Sequence, residues 1–554
     1  MPEWSGPRPL HVEPFPLTTL RSMLPLGAVP EPCSTVVTGI AHDSRQVQPG
    51  DLYAAIPGAT THGARFVGEA VGRGAAAVLT DPDGAELVGG LLAGDAGGGS
   101  GREVPVVVVD HPRAWMGDVA AAVYGYPARD LCMLGVTGTN GKTTTTYMLE
   151  AGMRHAGWST GLIGTVETRI DDETLPSVRT TPEATDIHAI LAVMRERGIG
   201  ACVMEVSSHA LAFGRVDGIV FDVAGFTNLS QDHLDFHSDL DEYFATKARL
   251  FRSHRAERAV VCIDDEYGRM LASWIDIPGS VILTTPAPTG NEPDASPSGG
   301  RELAGEIALP RWSVHGRGAG LCLVTPGGRS LPLHVPLPGD FNVANAALAV
   351  AMLVEAGIDP QLAVSGVASC AGVPGRMEQV GADIPGAPLA VVDYAHTPDA
   401  IQNVLRALRD RRAASGGERD DRPEHHGDGG RLIAVVGAGG DRDRDKRRAM
   451  GAAAAAEADV VIVTDDNPRS EEPAVIRAAV LAGAEEMSRE KRADLVEVAG
   501  RRAAIEAALA RARGAEDTVV LLGKGHEQGQ EIAGTVHPFD DREVLREELN
   551  RWRR

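Results

Sequence analysis

The sequence predicts an α/β protein of mostly parallel sheets, divided into three domains at about 1–110, 111–373 and 374–554. Three observations carry this. The 554 residues exceed what one hydrophobic core holds and suggest about three or four domains. From about residue 111 onward, apolar runs of strand length alternate with helical segments, the pattern of parallel sheets covered by helices on both faces. One run, Leu131–Leu149, joins a strand, a glycine-bearing loop and a helix start. In such sheets ligands gather at the carboxyl ends of the strands.

Composition narrows the function classes. Lys+Arg 53 against Asp+Glu 76 gives a net charge of −23, which argues against a nucleic-acid or anionic-membrane partner but leaves room for a locally basic pocket. The six cysteines (Cys33, Cys132, Cys202, Cys262, Cys322, Cys370) are scattered without metal-ligand spacing and read as free thiols in a reducing compartment. The N-terminal residues lack the apolar run of a signal peptide, and no stretch approaches membrane-spanning length. A soluble cytoplasmic protein is expected.

In the first domain, Pro49-Gly50 reads as a turn, Leu52–Ile56 as a strand and Val104–Val109 as a buried strand. Asp43-Ser44-Arg45 alone is a polar turn, and Gly94–Gly101 a loose surface loop. In the second domain, Leu131–Val136 is a strand. Gly138 and Gly141 allow a sharp turn, and Lys142-Thr143 opens a helix. Backbone N–H groups, the helix dipole and the lysine together make a phosphate cradle, with the Thr143 hydroxyl placed for Mg²⁺. The usual first glycine of a P-loop is Val136 here, so the match is to the variant Thr137-Gly138-Thr139-Asn140-Gly141-Lys142-Thr143. A glycine turn that binds nothing is the bland alternative; the lysine and hydroxyl at the required spacing weigh against it.

Ala201–Met204 is a strand ending in Glu205, where an acid beside a P-loop strand serves as a Mg²⁺ ligand. Phe221–Phe226 is another strand, followed by Thr227-Asn228-Leu229-Ser230-Gln231-Asp232-His233-Leu234-Asp235. His233 alone is more often a structural hydrogen-bonder. Glu242–Phe251 is an amphipathic helix burying Tyr243, Phe244, Leu250 and Phe251, and on composition alone its Lys247 is a solvated surface lysine. Residues 285–302 read as a flexible insertion. In the third domain, Leu389–Val392, Leu432–Val436, Val460–Val463 and Val519–Leu522 are strands, and Pro398–Leu408 is a helix. Arg442 stands where a dinucleotide motif needs its third glycine. Residues 411–430 read as a disordered surface loop with His425 and His426. The loops after these strands, rich in Asp, Arg and Gly, suit a small zwitterion or anion.

Several segments in this order resemble the Mur ligase family of ATP-dependent amide-forming enzymes, and among them the members that add diaminopimelate. They are Thr137–Thr144, Arg179-Thr180-Thr181-Pro182, Glu205–His209, Thr227–Ser230, Asp232–Asp235, Asp393-Tyr394-Ala395-His396-Thr397-Pro398, Gly440–Asp443 and Asp466-Asn467-Pro468-Arg469. The resemblance implies an N-terminal α/β UDP-binding domain, a central P-loop ATPase domain and a C-terminal Rossmann-like amino-acid domain. It implies that diaminopimelate is joined to the D-Glu γ-carboxylate of UDP-MurNAc-L-Ala-D-Glu through an acyl phosphate, in peptidoglycan precursor synthesis.

By the same resemblance Gly138, Thr139, Asn140, Gly141, Lys142, Thr143, Thr144, Asn345, Arg376 and Asp393 bind ATP. Ser44, Thr180, Thr181, Ser207 and Arg215 hold the UDP-muramoyl dipeptide. Arg442, Asp466, Asn467, Pro468, Arg469, Gly523 and Glu527 hold diaminopimelate. Two Mg²⁺ sites are implied, from Thr143 and Glu205 and from His233 and a carbamylated Lys247. Lys142, Glu205, His233, Lys247 and Arg376 form the catalytic set, and a monomer is expected. Phe213 stands where a substrate-binding glutamine often occurs in the family. Arg469 is expected to set selectivity for diaminopimelate over lysine by roughly 2–5 kcal/mol, because its planar fork fits the second carboxylate. The alternatives are a related ligase such as a folylpolyglutamate synthetase, against which the Asp466–Arg469 loop and the UDP-binding domain argue, or a nucleotide-switch protein.

Overall fold

The computed structural model describes residues 6–94, 104–177, 179–284, 309–316, 318–414, 430–441, 443–487 and 493–552. The 95–101 part of the expected loop Gly94–Gly101, the expected loop at 285–302, the 415–429 part of the expected loop at 411–430, and Arg442 lie outside the described residues; Gly94 itself ends the helix Pro82–Gly94.

Three parallel-rich sheets follow one another along the chain. The first has four parallel strands in spatial order Gly39–Ala41, Asp51–Ala54, Ala77–Thr80 and Val106–Val108. Apolar clusters cover both of its faces. The helix Pro112–Val123, just past residue 111, contributes Met116, Val119 and Ala120 to one of these clusters, which also takes Ala184 and Ala189 from the helix Ala184–Glu196. That shared core seats the first sheet on the second.

The central sheet has eleven strands, of which seven are parallel: Thr160–Ile163, Ala201–Glu205, Cys132–Thr137, Phe221–Phe226, Ala256–Cys262, Gly279–Thr284 and Arg311–His315 in spatial order. Cys132–Thr137 sits in the middle. The chain leaves it towards Thr160–Ile163 on one side, and leaves its neighbour Phe221–Phe226 towards the other. Reversed crossovers open a crevice at the carboxyl ends of these two strands. Helices cover both faces, so the strands read as unbroken apolar runs.

The third sheet orders Glu378–Val380, Leu389–Asp393, Thr518–Leu522, Leu432–Val436, Val460–Val463 and Asp494–Glu497, parallel except for the first strand. A hairpin of Gly529–Ile532 and Thr535–Pro538 hangs beyond its last parallel strand. Inside this domain Arg501 is fully buried and held by Asp541 at 2.8 and 2.6 Å. The helix from Pro398 runs on to Ala414, longer than the sequence pattern suggests. No helix among the described residues is long and apolar enough to cross a membrane.

Candidate active site

The loop 138–141 closes over the crevice of the central sheet. Two glycines are required there. Gly138 has φ +144° and a Cβ on it would lie 1.9 Å from Thr227 Oγ1; Gly141 has φ +86° and a Cβ would lie 2.3 Å from Asn345 Oδ1. The neighbouring loop locks this turn from outside. Thr139 N–H donates to Asn228 O at 2.8 Å, Asn140 N–H to Asn228 Oδ1 at 3.0 Å, and Thr227 Oγ1 to Asn140 O at 2.6 Å. Thr139 Oγ1 donates to Ser230 O at 3.1 Å. The helix Lys142–His155 then starts with Thr143 and Thr144 buried in its first turn.

Lys142 Nζ donates to Gly138 O at 3.0 Å and Thr139 O at 2.8 Å, curled over its own loop. Desolvation lowers its pKa against the attraction of Glu205 and Asp232. Thr143 Oγ1 donates to Glu205 Oε2 at 2.9 Å, and Arg376 donates to Thr143 Oγ1 at 3.2 Å. Arg376 comes from the third domain, lies 4.2 Å over the Tyr394 ring, and has its second terminal nitrogen buried with no hydrogen-bond partner among the described residues. A guanidinium left with spare donors beside a phosphate cradle is suited to an anion. Asp393 holds the Arg376 turn from behind, accepting from Met377 N–H and Ala395 N–H, both at 2.7 Å. Burial raises its carboxyl, with Arg376 opposing.

Glu205 is fully buried, and its other contacts are Thr165 N–H at 2.7 Å and Thr165 Oγ1 at 3.0 Å. Thr165 Oγ1 also shares a hydrogen bond with the Thr180 hydroxyl at 3.1 Å, and Thr181 Oγ1 donates to Glu205 O at 2.8 Å. Ser207 N–H donates to Thr181 Oγ1 at 3.1 Å, and Arg215 to Thr181 O at 3.2 Å. The expected acceptor residues therefore adjoin the expected metal residues. Ser44 lies in the first domain, buried, donating to Glu69 at 2.7 Å.

Lys247 corrects the reading from composition. It is 1% exposed, because the helix Leu240–Ala248 turns it inward under the P-loop, where its Nζ donates to Gly138 O at 2.8 Å and lies 4.5 Å from the Tyr243 ring centre. Desolvation, then repulsion from Lys142, drives its pKa well below the usual lysine value. His233 takes a left-handed turn (φ 57°), with its ring 6.2 Å from that of Tyr243. Desolvation, with the nearby His209, Lys247 and Lys142, lowers its pKa against the pull of Asp232, so the imidazole is neutral at physiological pH. Beside it Asp232 meets Lys446 at 3.3 Å and His396 at 3.8 Å from the third domain. Burial would raise the Asp232 carboxyl, but His233, His396 and Lys446 outweigh it and hold it well below the carboxylate range.

At the far end of the crevice the loops of the third sheet interlock. Asn467 Nδ2 donates to Glu527 at 2.7 Å. The fully buried Lys524 donates to Asn467 Oδ1 and Glu527, both at 3.1 Å, and to Gly529 O at 2.6 Å. Burial and the nearby Asp466 raise the Glu527 carboxyl. Gly523 N–H donates to Asp393 O at 3.1 Å, tying this loop to the Arg376 turn. Pro468 O accepts from Glu471 N–H. Arg469 does not wait unpaired: it donates to Gly440 O at 2.6 Å and meets Glu531 at 3.5 Å. Sequence reasoning missed Lys524, Thr165 and Lys446. Lys524 stands between two glycines directly after a strand, the one signal that pointed to it.

A Mg²⁺ ion fits the P-loop corner, where Thr143 and Glu205 place two hard oxygens 2.9 Å apart. No group of three or more His, Cys, Asp or Glu side chains able to hold a metal occurs among the described residues.

Three family profiles cover most of the chain: "Mur ligase family, catalytic domain" over 36–124, "Mur ligase middle domain" over 136–353 and "Mur ligase, glutamate ligase domain" over 375–525. A UDP-N-acetylmuramoyl-L-alanyl-D-glutamate–2,6-diaminopimelate ligase of Streptomyces avermitilis is 50% identical over 543 residues, 98% of each chain. A solved structure of a ligase of that name aligns with TM-score 0.58 at 28% identity, covering 98% of this chain and all of that one. A bifunctional folylpolyglutamate synthase/dihydrofolate synthase of Yersinia pestis shares the fold at TM-score 0.54 and 19% identity, over 74% of this chain and 91% of that one. With the phosphate cradle, the cross-domain arginine and the acceptor loops in one crevice, the chain belongs to the Mur ligase family.

Proposed function

We propose that this protein is an ATP-dependent ligase that joins diaminopimelate to the D-Glu γ-carboxylate of UDP-MurNAc-L-Ala-D-Glu in peptidoglycan precursor synthesis. The observation that carries the proposal is Arg376 reaching Thr143 across the domain boundary. It supports the reading by linking the third domain, to which the proposal assigns the amino acid, with the P-loop, to which it assigns the phosphates. The full-length match to the Streptomyces ligase supplies the substrates. The related folylpolyglutamate synthase shares only part of the length and the fold.

A carboxylate is a poor acyl donor, so the γ-phosphoryl group of ATP is transferred to it, giving an acyl phosphate. The diaminopimelate amine then attacks the acyl carbon, phosphate leaves, and the amide remains. Phosphoryl transfer is mainly positioning and charge neutralisation. Lys142 and Arg376 hold the β- and γ-phosphates, Asn345 and Asp393 face the adenosine end, and the N–H groups of 138–144 line the phosphates. Mg²⁺, held by Thr143 and Glu205, supplies charge neutralisation on the phosphate oxygens. Ser44 binds the uridine end of the acceptor, and Thr180, Thr181, Ser207 and Arg215 the peptide end. Arg469, with Arg442, takes carboxylates of diaminopimelate, while Asp466, Asn467, Gly523 and Glu527 surround its ammonium groups.

Lys247 belongs to this reading as a carbamate. A buried ammonium beside Lys142 is disfavoured, and its neutral amine is the form that adds to CO₂, releasing one proton and leaving a carboxylate-like group. With neutral His233 it serves a second Mg²⁺ site. Isotopically labelled bicarbonate should give a carbamate carbon resonance that disappears in Lys247→Arg; its absence from wild type contradicts this part. All three substrates are bound by one chain, which suits a monomer in the cytoplasm. The function itself is tested by product: ATP, UDP-MurNAc-L-Ala-D-Glu and diaminopimelate should yield the UDP-muramoyl tripeptide by mass spectrometry. Recovery of unchanged dipeptide under saturating conditions overturns it.

A further inference from the structure

Three arginines converge on one carboxylate where the first domain meets the second. Arg113 from the helix Pro112–Val123 lies 3.3 Å from Glu183, Arg215 lies 2.9 Å from it, and Arg179 bonds to it as well. Glu183 is buried, and these guanidiniums hold its carboxyl below the usual range although burial alone would raise it. One carboxylate against three guanidiniums leaves an excess of two positive charges. The next acid along, Asp186, has His42 and Arg8 as the nearer cations in its surroundings and offsets Arg179 only weakly. The buried Arg215 Nε–H has no hydrogen-bond partner among the described residues, and an unsatisfied buried charged donor is costly. Phe213 explains how the cluster keeps its shape: Arg113 and Arg215 lie 5.5 and 5.6 Å from its ring centre. An aromatic face steadies two guanidiniums that would otherwise repel, where a glutamine would supply a single polar contact.

We propose that Arg113 and Arg179 complete, with Arg215, an oxyanion-binding subsite for the UDP-muramoyl dipeptide, taking its diphosphate or a peptide carboxylate. This rests on the function proposed above. The position fits. Arg215 touches Thr181, whose hydroxyl donates to Glu205 O beside the P-loop corner, while Arg113 belongs to the helix that packs into the core of the uridine-binding domain. The subsite thus lies between the two ends of the acceptor, where its other charged groups must pass. Arginine forks suit carboxylate and phosphate alike.

The test is calorimetric binding of UDP, UDP-MurNAc and UDP-MurNAc-L-Ala-D-Glu to the full-length protein, without ATP, for wild type, Arg113→Gln and Arg179→Gln. Each variant should weaken the dipeptide Kd about tenfold, and the salt dependence of binding should become shallower. If UDP weakens in step, the bound group is the diphosphate; if UDP is unaffected, it is a peptide carboxylate. Wild-type Kd values for all three ligands in both variants would overturn the proposal. Arg179 is half exposed, so Arg179→Gln decides the matter should Arg113→Gln fold poorly. A wild type that does not bind the dipeptide at all would instead sink the proposed function.

Discussion

The two ends of the crevice use cations differently. At the P-loop, among the described residues, Lys142 donates to carbonyls of its own loop and Arg376 to a hydroxyl, with one buried guanidinium nitrogen spare. These cations are ready for phosphate. In the amino-acid loops, Lys524, Asn467 and Glu527 satisfy one another, and Arg469 is held by Gly440 O and Glu531. If these loops take the amino acid, as proposed, an incoming zwitterion must replace partners rather than fill a vacancy. The first end is built for strength and the second for exchange, so substitutions at the first should cost more.

The largest effect is expected from Lys142→Ala. Removing the cation beside the transferring phosphoryl group should lower kcat on the order of 10³-fold with the fold intact by circular dichroism. Near-normal turnover in a folded variant would break the comparison at its stronger end. Lys247→Ala comes next, at about 10²-fold, because on the proposed carbamate reading it removes a metal ligand but leaves the P-loop corner. If kcat is unchanged over a full range of Mg²⁺ concentration, the second metal site is wrong.

Arg469→Ala should cost diaminopimelate about 10- to 100-fold in kcat/KM while leaving UDP-MurNAc-L-Ala-D-Glu affinity unchanged. The sequence alone suggests roughly 2–5 kcal/mol here, which assumes a guanidinium stranded when lysine binds. With Glu531 and Gly440 O as internal partners the stranding penalty shrinks towards about 1.5–3 kcal/mol. Full diaminopimelate activity in Arg469→Ala, or equal use of lysine by wild type, contradicts the assignment. The smallest effect is Glu531→Gln. Releasing Arg469 from a competing carboxylate should lower the KM for diaminopimelate about two- to fivefold. A raised KM would show that Glu531 helps bind the substrate instead of competing for Arg469.

Much of the P-loop end was legible because its chemistry is local. Gly138, Gly141, Lys142 and Thr143 lie within six residues, and Glu205 ends a strand hydrogen-bonded beside theirs. Lys247 was not legible from composition, since its burial depends on how its helix packs under a loop more than a hundred residues earlier. The Arg113–Glu183–Arg215 cluster was invisible for the same reason, its members being neighbours only after the helix Pro112–Val123 packs against the start of the helix Ala184–Glu196. Arg469 was placed by its motif, but its pairing with Glu531 depends on the hairpin Gly529–Pro538, to which no motif pointed.

The central claim is that one crevice couples ATP cleavage to amide formation between two bound partners. Its most direct test is ADP release by purified protein with ATP and Mg²⁺, measured with each acceptor omitted in turn. Release should require both UDP-MurNAc-L-Ala-D-Glu and diaminopimelate, with one ADP formed per amide. Sustained ADP release that continues unchanged without either acceptor would contradict the account and point to a nucleotide switch.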